Sequence, residues 1–192
     1  MKKLLITGFD PFGGETVNPA WEAVKLLPDS IGSYMLCKLL IPTVFGLGAA
    51  AVLEAACDIL PDVILCIGQA GGREAVTPER IAVNIRDAKI PDNIGNRPIG
   101  TFVDEDGPAA YFSTLPVDAM AQAIRDAGLP GAVSNSAGAF VCNDTLYTLL
   151  HHYHGSPVKV GFIHVPYLPR QGCPSLPLAD TVCALEAAIK AI

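Results

Sequence analysis

The chain of 192 residues is long enough to bury a substantial core, and 51% of its residues are apolar while 17% are charged, a balance that excludes an intrinsically disordered protein. Its formal net charge of −6, together with the lack of any Lys- or Arg-rich block, argues against a nucleic-acid or membrane partner. We therefore expect one globular domain spanning residues 1–192.

The cysteines and the N-terminus point to a cytoplasmic protein. Six cysteines are scattered along the chain without a C-x-x-C pair, which is typical of reduced thiols in a cytoplasmic protein. The apolar run in "MKKLLITGFDPF" is too short for a signal peptide, and no stretch of the sequence reaches membrane-spanning length.

The predicted elements alternate between strands and helices along the chain. Apolar or alternating runs predict strands at 3–7, 34–41, 62–68, 80–85, 132–138 and 158–165. Amphipathic or Ala-rich runs predict helices at 18–27, 46–60, 116–128 and 178–192. This alternation predicts an α/β fold, and we expect a single-domain three-layer α/β/α sandwich around a twisted, mainly parallel (mixed) sheet. Residues 86–114 are too irregular and too long for an ordinary connection, so we expect them to cover a site or to form a subunit contact.

The loops that follow the predicted strands carry the chemistry. Ligands of parallel sheets bind at the carboxyl ends of the strands. The loop after the first strand holds Phe9 and Phe12, which suit an apolar pocket but also a plain core. The loop "GQAGGREAVTPER" is Gly-rich and ends near Glu79, yet it has neither G-x-G-x-x-G nor the lysine of a phosphate loop.

Three side chains at these loop ends match the parts of a thiol-based catalytic triad. Cys142 lies at a predicted helix start, where the helix dipole favours a thiolate, His164 ends an apolar strand, and Glu79 lies in a neighbouring loop. A buried structural histidine and an inert cysteine are the plain alternatives. Asp144 argues against a thiolate, since a nearby negative charge raises a thiol pKa. The "HHYH" run at 151–154 needs only a helix C-terminus to explain it, so we expect no metal site.

Several long motifs resemble one family. The stretches "TGFDPFGGETVNPAWEAV", "GQAGGREAVTPERIAVNIRDAKIPDNIGNRP", "GPAAYFSTLP", "SNSAGAFVCND" and "GFIHVPYLP" are similar to those of the pyroglutamyl peptidase I family. The resemblance implies a cysteine exopeptidase that removes an N-terminal pyroglutamyl residue without metal or cofactor, through a thioester. Its catalytic residues map to Glu79, Cys142 and His164, and family members are commonly homotetramers.

The resemblance also implies a substrate pocket. Its aromatic walls map to Phe9 and Phe12, while backbone near Gln69, Gly71 and Val141 would bind the lactam.

Asn18 would brace the first loop, although helix capping alone would explain it. The oxyanion would be stabilised at Lys89 and Cys142. Lys89 stands where many members carry arginine, and a lysine keeps the positive charge but lacks the planar geometry of a guanidinium. Arg170 replaces a usually acidic residue.

Three other interpretations stay open from the sequence. A nucleoside phosphorylase shares the α/β pattern and would use the Gly-rich loops for phosphate. A non-catalytic lactam binder would keep the pocket without turnover. A purely structural α/β module would leave the chemistry of the loop ends unexplained.

Overall fold

The computed structural model describes residues 1–192. The strands are β1 (Lys2–Phe9), β2 (Ser30–Ile31), β3 (Tyr34–Ile41), β4 (Val63–Gln69), β5 (Thr77–Pro78), β6 (Ile81–Val83), β7 (Ala110–Phe112) and β8 (Lys159–Val165). The helices are α1 (Pro19–Leu26), α2 (Leu47–Ile59), α3 (Val117–Asp126), α4 (Val141–His152) and α5 (Leu178–Lys190).

Six strands form one mixed sheet in the order β2-β3-β1-β4-β8-β5. Strands β3, β1, β4 and β8 run parallel, while β2 and β5 are antiparallel strands at the two edges. Parallel strands are covered on both faces and therefore read as continuous apolar runs, which is why β4 is buried along its whole length. The predicted mainly parallel sheet is confirmed.

Helices cover both faces of this sheet. Alternating side chains of β1 send Leu4 and Ile6 into a core shared with α1, α3 and α5, while Leu5 points to a second core beneath α2 and α4. The three-layer α/β/α arrangement is therefore confirmed, with the elements predicted as helices lying within two residues of their expected ends.

Two predicted strands differ from the structure. The run 132–138 is not a strand, and the prediction was wrong there: it forms only the isolated bridge of Glu79 with Ser134. Local hydrogen bonds of Ser134 with Ser136 and the positive φ of Gly138 divert this backbone from a ladder. The run 80–85 contains a strand, β6, but it pairs with β7 in a separate two-stranded sheet.

The segment 86–114 is irregular, as predicted, apart from β7 and a bridge between Arg86 and Thr101. Buried Asp92 holds it against the rest of the protein. Its two carboxylate oxygens accept four hydrogen bonds, from the backbone of Phe45, Ile94 and Asn96 and from the Asn96 side chain. Burial acts to raise the pKa of Asp92, but these hydrogen bonds outweigh it and leave the pKa below its ordinary value.

Replacing Asp92 with asparagine should destabilise the protein most near neutral pH. Charge-assisted hydrogen bonds contribute about 1.5–3 kcal/mol each, so we expect a loss of roughly 2 kcal/mol in unfolding free energy. Because the folded pKa lies below the unfolded value of about 3.9, this stabilisation is complete above that pH and disappears as pH falls through the folded pKa. Urea unfolding at pH 7 and pH 3 measures it. The control is Asp58→Asn, which changes an exposed residue of α2. Equal unfolding free energies of the wild type and Asp92→Asn at pH 7 would contradict the stabilising role of Asp92.

Candidate active site

Three loops meet at the carboxyl edge of the sheet, as the strand order requires. Strands β1, β4 and β8 are parallel neighbours, so the loops that follow them leave from the same edge. The Gln171 amide, in the loop after β8, donates to Glu15 after β1 at 3.2 Å and to Gln69 at the end of β4 at 3.0 Å. The Tyr167 ring packs on Gly71, where a Cβ would lie 2.1 Å from Cζ.

His164 and Glu79 form a buried pair at this edge. The Nδ1 atom of His164 lies 2.7 Å from Oε1 of Glu79, and Glu79 is fully buried. The backbone also holds them together, because the Glu79 N–H donates to the carbonyl of Phe162 in β8 at 2.9 Å. A carboxylate only accepts hydrogen bonds, so Nδ1 carries the proton and Nε2 is left as the basic ring nitrogen.

Cys142 is the second residue of α4 and lies on the same face of the sheet. A Cβ built on Gly68 would be 3.0 Å from its Sγ and 2.7 Å from Cζ of Phe162. Gly68 is paired in register with His164, and the rings of Phe162 and His164 are 4.7 Å apart. The absence of a side chain at Gly68 therefore allows the thiol of Cys142 to lie against the strand next to His164. No hydrogen bond joins Sγ to His164.

The charges of the three groups are set by burial and by one another. Burial, and to a smaller extent the Glu79 carboxylate and the Cys66 thiol, raise the pKa of Cys142 to about 12, while the Arg73 charge and the backbone at the helix start act in the opposite direction. Burial likewise lowers the pKa of His164, against the attraction of Glu79. At neutral pH the resting pair is therefore a neutral thiol and a neutral imidazole. The thiolate favoured by the helix start is outweighed.

Glu79 stays ionised despite its burial. Burial acts to raise the pKa of this carboxyl, but the hydrogen bond and charge attraction of His164 outweigh it, with smaller contributions from Ser134 and Arg73. The net effect is a pKa below the ordinary value. A permanent carboxylate beside Nδ1 keeps the imidazole in one tautomer.

The residues after Cys142 anchor the start of α4. Asn143 pairs with β6 like a strand, accepting from the Val83 N–H and donating to the carbonyls of Val83 and Ile85. Asp144 accepts from Arg86 Nε at 2.6 Å and from the Gly46 N–H at 2.7 Å. The sequence predicted that the charge of Asp144 would raise the pKa of the Cys142 thiol, and this effect is not found. Asp144 is paired with Arg86, and it is not among the groups that shift the Cys142 pKa.

Aromatic side chains line the approach to Cys142. Phe9 is buried with its ring centroid 6.1 Å from that of Phe162, and Phe12 lies 5.9 Å from Phe140. Phe140 also meets Phe45 edge-on at 5.3 Å. Neither Phe140 nor Phe45 was predicted, although Phe140 stands in the same motif as Cys142. Val141, between Phe140 and Cys142, is fully buried.

The remaining predicted residues differ in their surroundings. Asn18 is buried and uses both ends of its amide structurally, accepting from the Ala20 N–H as the cap of α1 and donating to the Asp10 carbonyl. Lys89 and Arg170 are exposed and form no hydrogen bond or ion pair. The substrate role of Asn18 and the oxyanion role of Lys89 stay predictions.

Arg73 belongs to the site and was missed by sequence reasoning. Its Nη1 donates to Glu79 Oε1 at 2.6 Å and also to the Thr77 hydroxyl. Thr77 and Glu79 are two residues apart and share one side of the extended backbone, but Arg73 precedes a bend at 74–75, so no local periodicity indicated its place in the site.

Adding a methyl group at Gly68 should disturb catalysis directly. In Gly68→Ala the new Cβ would push either Sγ of Cys142 or the ring of Phe162, and a misplacement of about 1 Å costs about 10²-fold in rate. We expect kcat to fall by that order, measured by steady-state kinetics.

Gly161→Ala is the matched control in β8. Its Cβ would press on the Leu115 side chain in the opposite core, so it should lower stability and leave kcat unchanged. A kcat equal to that of the wild type in Gly68→Ala would contradict the claim that Gly68 leaves the space that the thiol needs.

A thiol, an imidazole and a carboxylate gathered at the carboxyl edge of an α/β sheet define this protein as one of the cysteine peptidases. A sequence model of the pyroglutamyl peptidase family matches residues 2–192, and the chain belongs to that family. The chain is 55% identical to the pyrrolidone-carboxylate peptidase of Levilactobacillus brevis, over 99% of this chain and 97% of the relative.

Solved structures agree with this assignment. Pyroglutamyl peptidase I of Bacillus amyloliquefaciens superposes with a TM-score of 0.96 at 46% identity, covering 100% of this chain and 96% of that one. The pyrrolidone carboxyl peptidase of Thermococcus litoralis superposes with a TM-score of 0.94 at 40% identity, covering 100% and 93%. Membership of this family replaces the nucleoside phosphorylase and structural-module interpretations.

Two negative findings complete the description. No group of three or more His, Cys, Asp or Glu side chains is arranged to hold a metal ion. None of the helices combines the length and apolarity that crossing a bilayer requires.

The first histidine of the run at 151–154 contacts an aromatic side chain: His151 Nδ1 lies 2.8 Å from the Tyr111 hydroxyl.

Proposed function

We propose that this enzyme removes the N-terminal pyroglutamyl residue from peptides, with Cys142 as nucleophile, His164 as general base and acid, and Glu79 as the group that orients the imidazole. The observation that carries the proposal is the 2.7 Å pair of His164 and Glu79, with Cys142 Sγ above Gly68 on the same face. Membership of the pyroglutamyl peptidase family supports the substrate class.

The chemistry follows from the resting protonation states. His164 Nε2 takes the proton of the Cys142 thiol as Sγ attacks the pyroglutamyl carbonyl carbon, which forms the C–S bond and an oxyanion. N–H groups at the start of α4 are suited to receive that oxyanion. The C–N bond then breaks, His164 gives its proton to the leaving amine, and a thioester remains.

Hydrolysis of the thioester closes the cycle. His164 Nε2 takes a proton from water while the oxygen attacks the thioester carbonyl, and the C–S bond breaks. The proton returns to Sγ, which releases pyroglutamate and restores the neutral thiol. Because the thiol pKa is high, proton transfer accompanies attack instead of preceding it.

The pocket chemistry supports selection of the uncharged lactam. Phe12, Phe45 and Phe140 form a connected aromatic surface beside the start of α4, while Phe9 is buried in the core against Phe162. Burying the ammonium of an ordinary N-terminus against such a surface is costly, whereas a neutral lactam needs partners only for its N–H and C=O. Backbone groups at Gln69, Gly71 and Val141 are our candidates for these partners.

Hydrolysis of a fluorogenic pyroglutamyl amide, compared with the matching prolyl amide under reducing conditions, tests the proposal. We expect release from the pyroglutamyl amide alone. The prolyl amide has a five-membered ring of the same size, with a charged amine and no ring carbonyl in place of the lactam, so equal rates would contradict the selection mechanism. Lactam binding without any release would support the non-catalytic binder.

We also propose a cytoplasmic enzyme that assembles as a homotetramer. All six cysteines are free, which suits a reducing compartment. Segment 86–114 carries four exposed large apolar side chains, Ile94, Ile99, Phe102 and Phe112, and exposed apolar surface is typical of protein contacts. Analytical ultracentrifugation of the purified protein tests the assembly.

A further inference from the structure

One charged side chain contacts the proposed triad without belonging to it. Arg73 lies in the loop between β4 and β5 and forms an ion pair of 2.6 Å with Glu79 Oε1, the same oxygen that faces His164 Nδ1. The Arg73 side chain is about one-quarter exposed, with a relative accessibility of 26%. It therefore brings a permanent positive charge from the protein surface to a fully buried carboxylate.

The guanidinium is fixed at both of its terminal nitrogens. Nη1 donates to Glu79 and to the hydroxyl of Thr77, and Nη2 donates to the Ser136 carbonyl at 3.0 Å. Thr77 in turn donates to the backbone carbonyl of His164 at 3.4 Å. Arg73 thus joins the loop after β4, strand β5 and the segment that leads to Cys142.

The second carboxylate oxygen makes this arrangement informative. Glu79 Oε2 is buried and accepts no hydrogen bond. Both of the contacts that orient the group, from Arg73 and from His164, fall on Oε1. Without the guanidinium, His164 would be the only hydrogen-bond partner left to the Glu79 carboxylate. The carboxylate would then have no other hydrogen bond to fix its orientation towards the imidazole.

We propose that Arg73 is a positioning residue of the reaction, which holds Oε1 of Glu79 turned to His164 and favours the neutral imidazole in the resting enzyme. The inference rests on the proposed function, because it assigns a role within the same triad. Arg73 makes no hydrogen bond to Sγ of Cys142; its charge acts on the thiol pKa from a distance, and its hydrogen bonds reach His164 through Glu79.

The charges around His164 give the expected sign. The titratable groups that face it are Glu79 from the β5 segment, Arg73 from the preceding loop and Cys142 from α4, with the buried Cys66 thiol beneath in β4. Glu79 favours the imidazolium, while burial and Arg73 disfavour it. Removing the positive charge of Arg73 must therefore raise the pKa of His164 and move the acid limb of activity to higher pH.

The experiment compares Arg73→Met, Arg73→Lys and Arg80→Met with the wild type, using the pH profile of kcat/KM on the fluorogenic pyroglutamyl amide. Arg80 is the matched control, since it lies in the same segment but pairs with Asp118 and Asn135 at the surface. A positioned acid–base group is worth roughly 10²–10⁴-fold, so partial loss of its orientation in Arg73→Met should lower kcat by about 10- to 100-fold.

Further readouts separate positioning from folding. In Arg73→Met we expect an unchanged KM, an acid limb at higher pH and a higher His164 pKa by histidine NMR, which does not depend on turnover. Arg73→Lys should restore the position of the acid limb but only part of kcat, because lysine keeps the charge and loses the fork. Arg80→Met should match the wild type throughout.

The failures are distinguishable. An inactive wild type would contradict the proposed function. An active wild type together with an Arg73→Met enzyme whose acid limb and His164 pKa are unchanged would overturn the role of Arg73 alone. A loss confined to KM, or an equal shift in Arg80→Met, would also overturn it.

Discussion

Cys142→Ala should abolish hydrolysis of the pyroglutamyl amide, lowering kcat by about 10⁴-fold or more, as expected when a nucleophile that forms a covalent intermediate is removed. Binding should survive. Only the sulfur is lost, while the aromatic pair of Phe12 and Phe140 and the anchors at Asn143 and Asp144 remain. Calorimetric titration with pyroglutamate or 2-pyrrolidone measures the second part.

The matched control is Cys57→Ala, which removes an exposed thiol from α2 and should leave kcat and KM unchanged. Residual activity in Cys142→Ala above one part in about a thousand would contradict covalent catalysis at this sulfur. Loss of binding together with turnover would indicate that the thiol shapes the pocket. An unchanged thermal unfolding curve would then exclude misfolding of Cys142→Ala as the cause.

Glu79→Gln should separate thiol reactivity from turnover. A glutamine is nearly the same size, but its amide can donate to Nδ1 of His164, which favours the tautomer with the proton on Nε2. A base in the wrong tautomer costs about 10⁴-fold in a serine protease triad, so we expect kcat to fall by roughly 10³–10⁴-fold. The carboxylate also raises the pKa of Cys142, so the thiol should become more acidic when that charge is removed.

Alkylation by iodoacetamide measures this second effect. Its rate at Cys142 should rise in Glu79→Gln at pH 8 while turnover falls, since the thiolate is the reactive form. Glu79→Asp is the control that keeps the charge and shortens the side chain, so it should retain slow alkylation. If alkylation and turnover fell together in Glu79→Gln, the variant would have lost the site and the orienting role would be contradicted. The same alkylation in the wild type should still accelerate above pH 9, because the thiol pKa is about 12.

Much of the architecture followed from local patterns. Long apolar runs at β1, β3, β4 and β8 predicted a buried parallel sheet, because only strands covered on both faces can be apolar throughout. Parallel strands share a carboxyl edge, and this alone placed His164 near the end of β1 and the loop of Phe12 that follows it. The motifs added the family, which the match over residues 2–192 confirms.

Short and non-local elements were beyond local patterns. Strand β5 has only two residues, too few to show any periodicity, yet its antiparallel pairing with β8 brings Glu79 to His164. The alternating run at 80–85 showed a strand but not its partner, which lies nearly thirty residues away in β7. Conversely, 132–138 has a strand-like composition, but its backbone pairing with residues 76–80 stops at Ser134, where local hydrogen bonds between Ser134 and Ser136 take over.

The sequence by itself determined the α/β class, the residue types available at the loop ends and the family to which the chain belongs. The tertiary structure alone decided the charge state of the site, since pKa values depend on burial and on neighbours from distant segments. Asp144, two residues from the thiol in sequence, is paired with Arg86, while Glu79, sixty-three residues away by numbering, raises the thiol pKa. Arg73 acquired its place for the same reason, because an ion pair with a buried carboxylate exists only once the chain has folded around it.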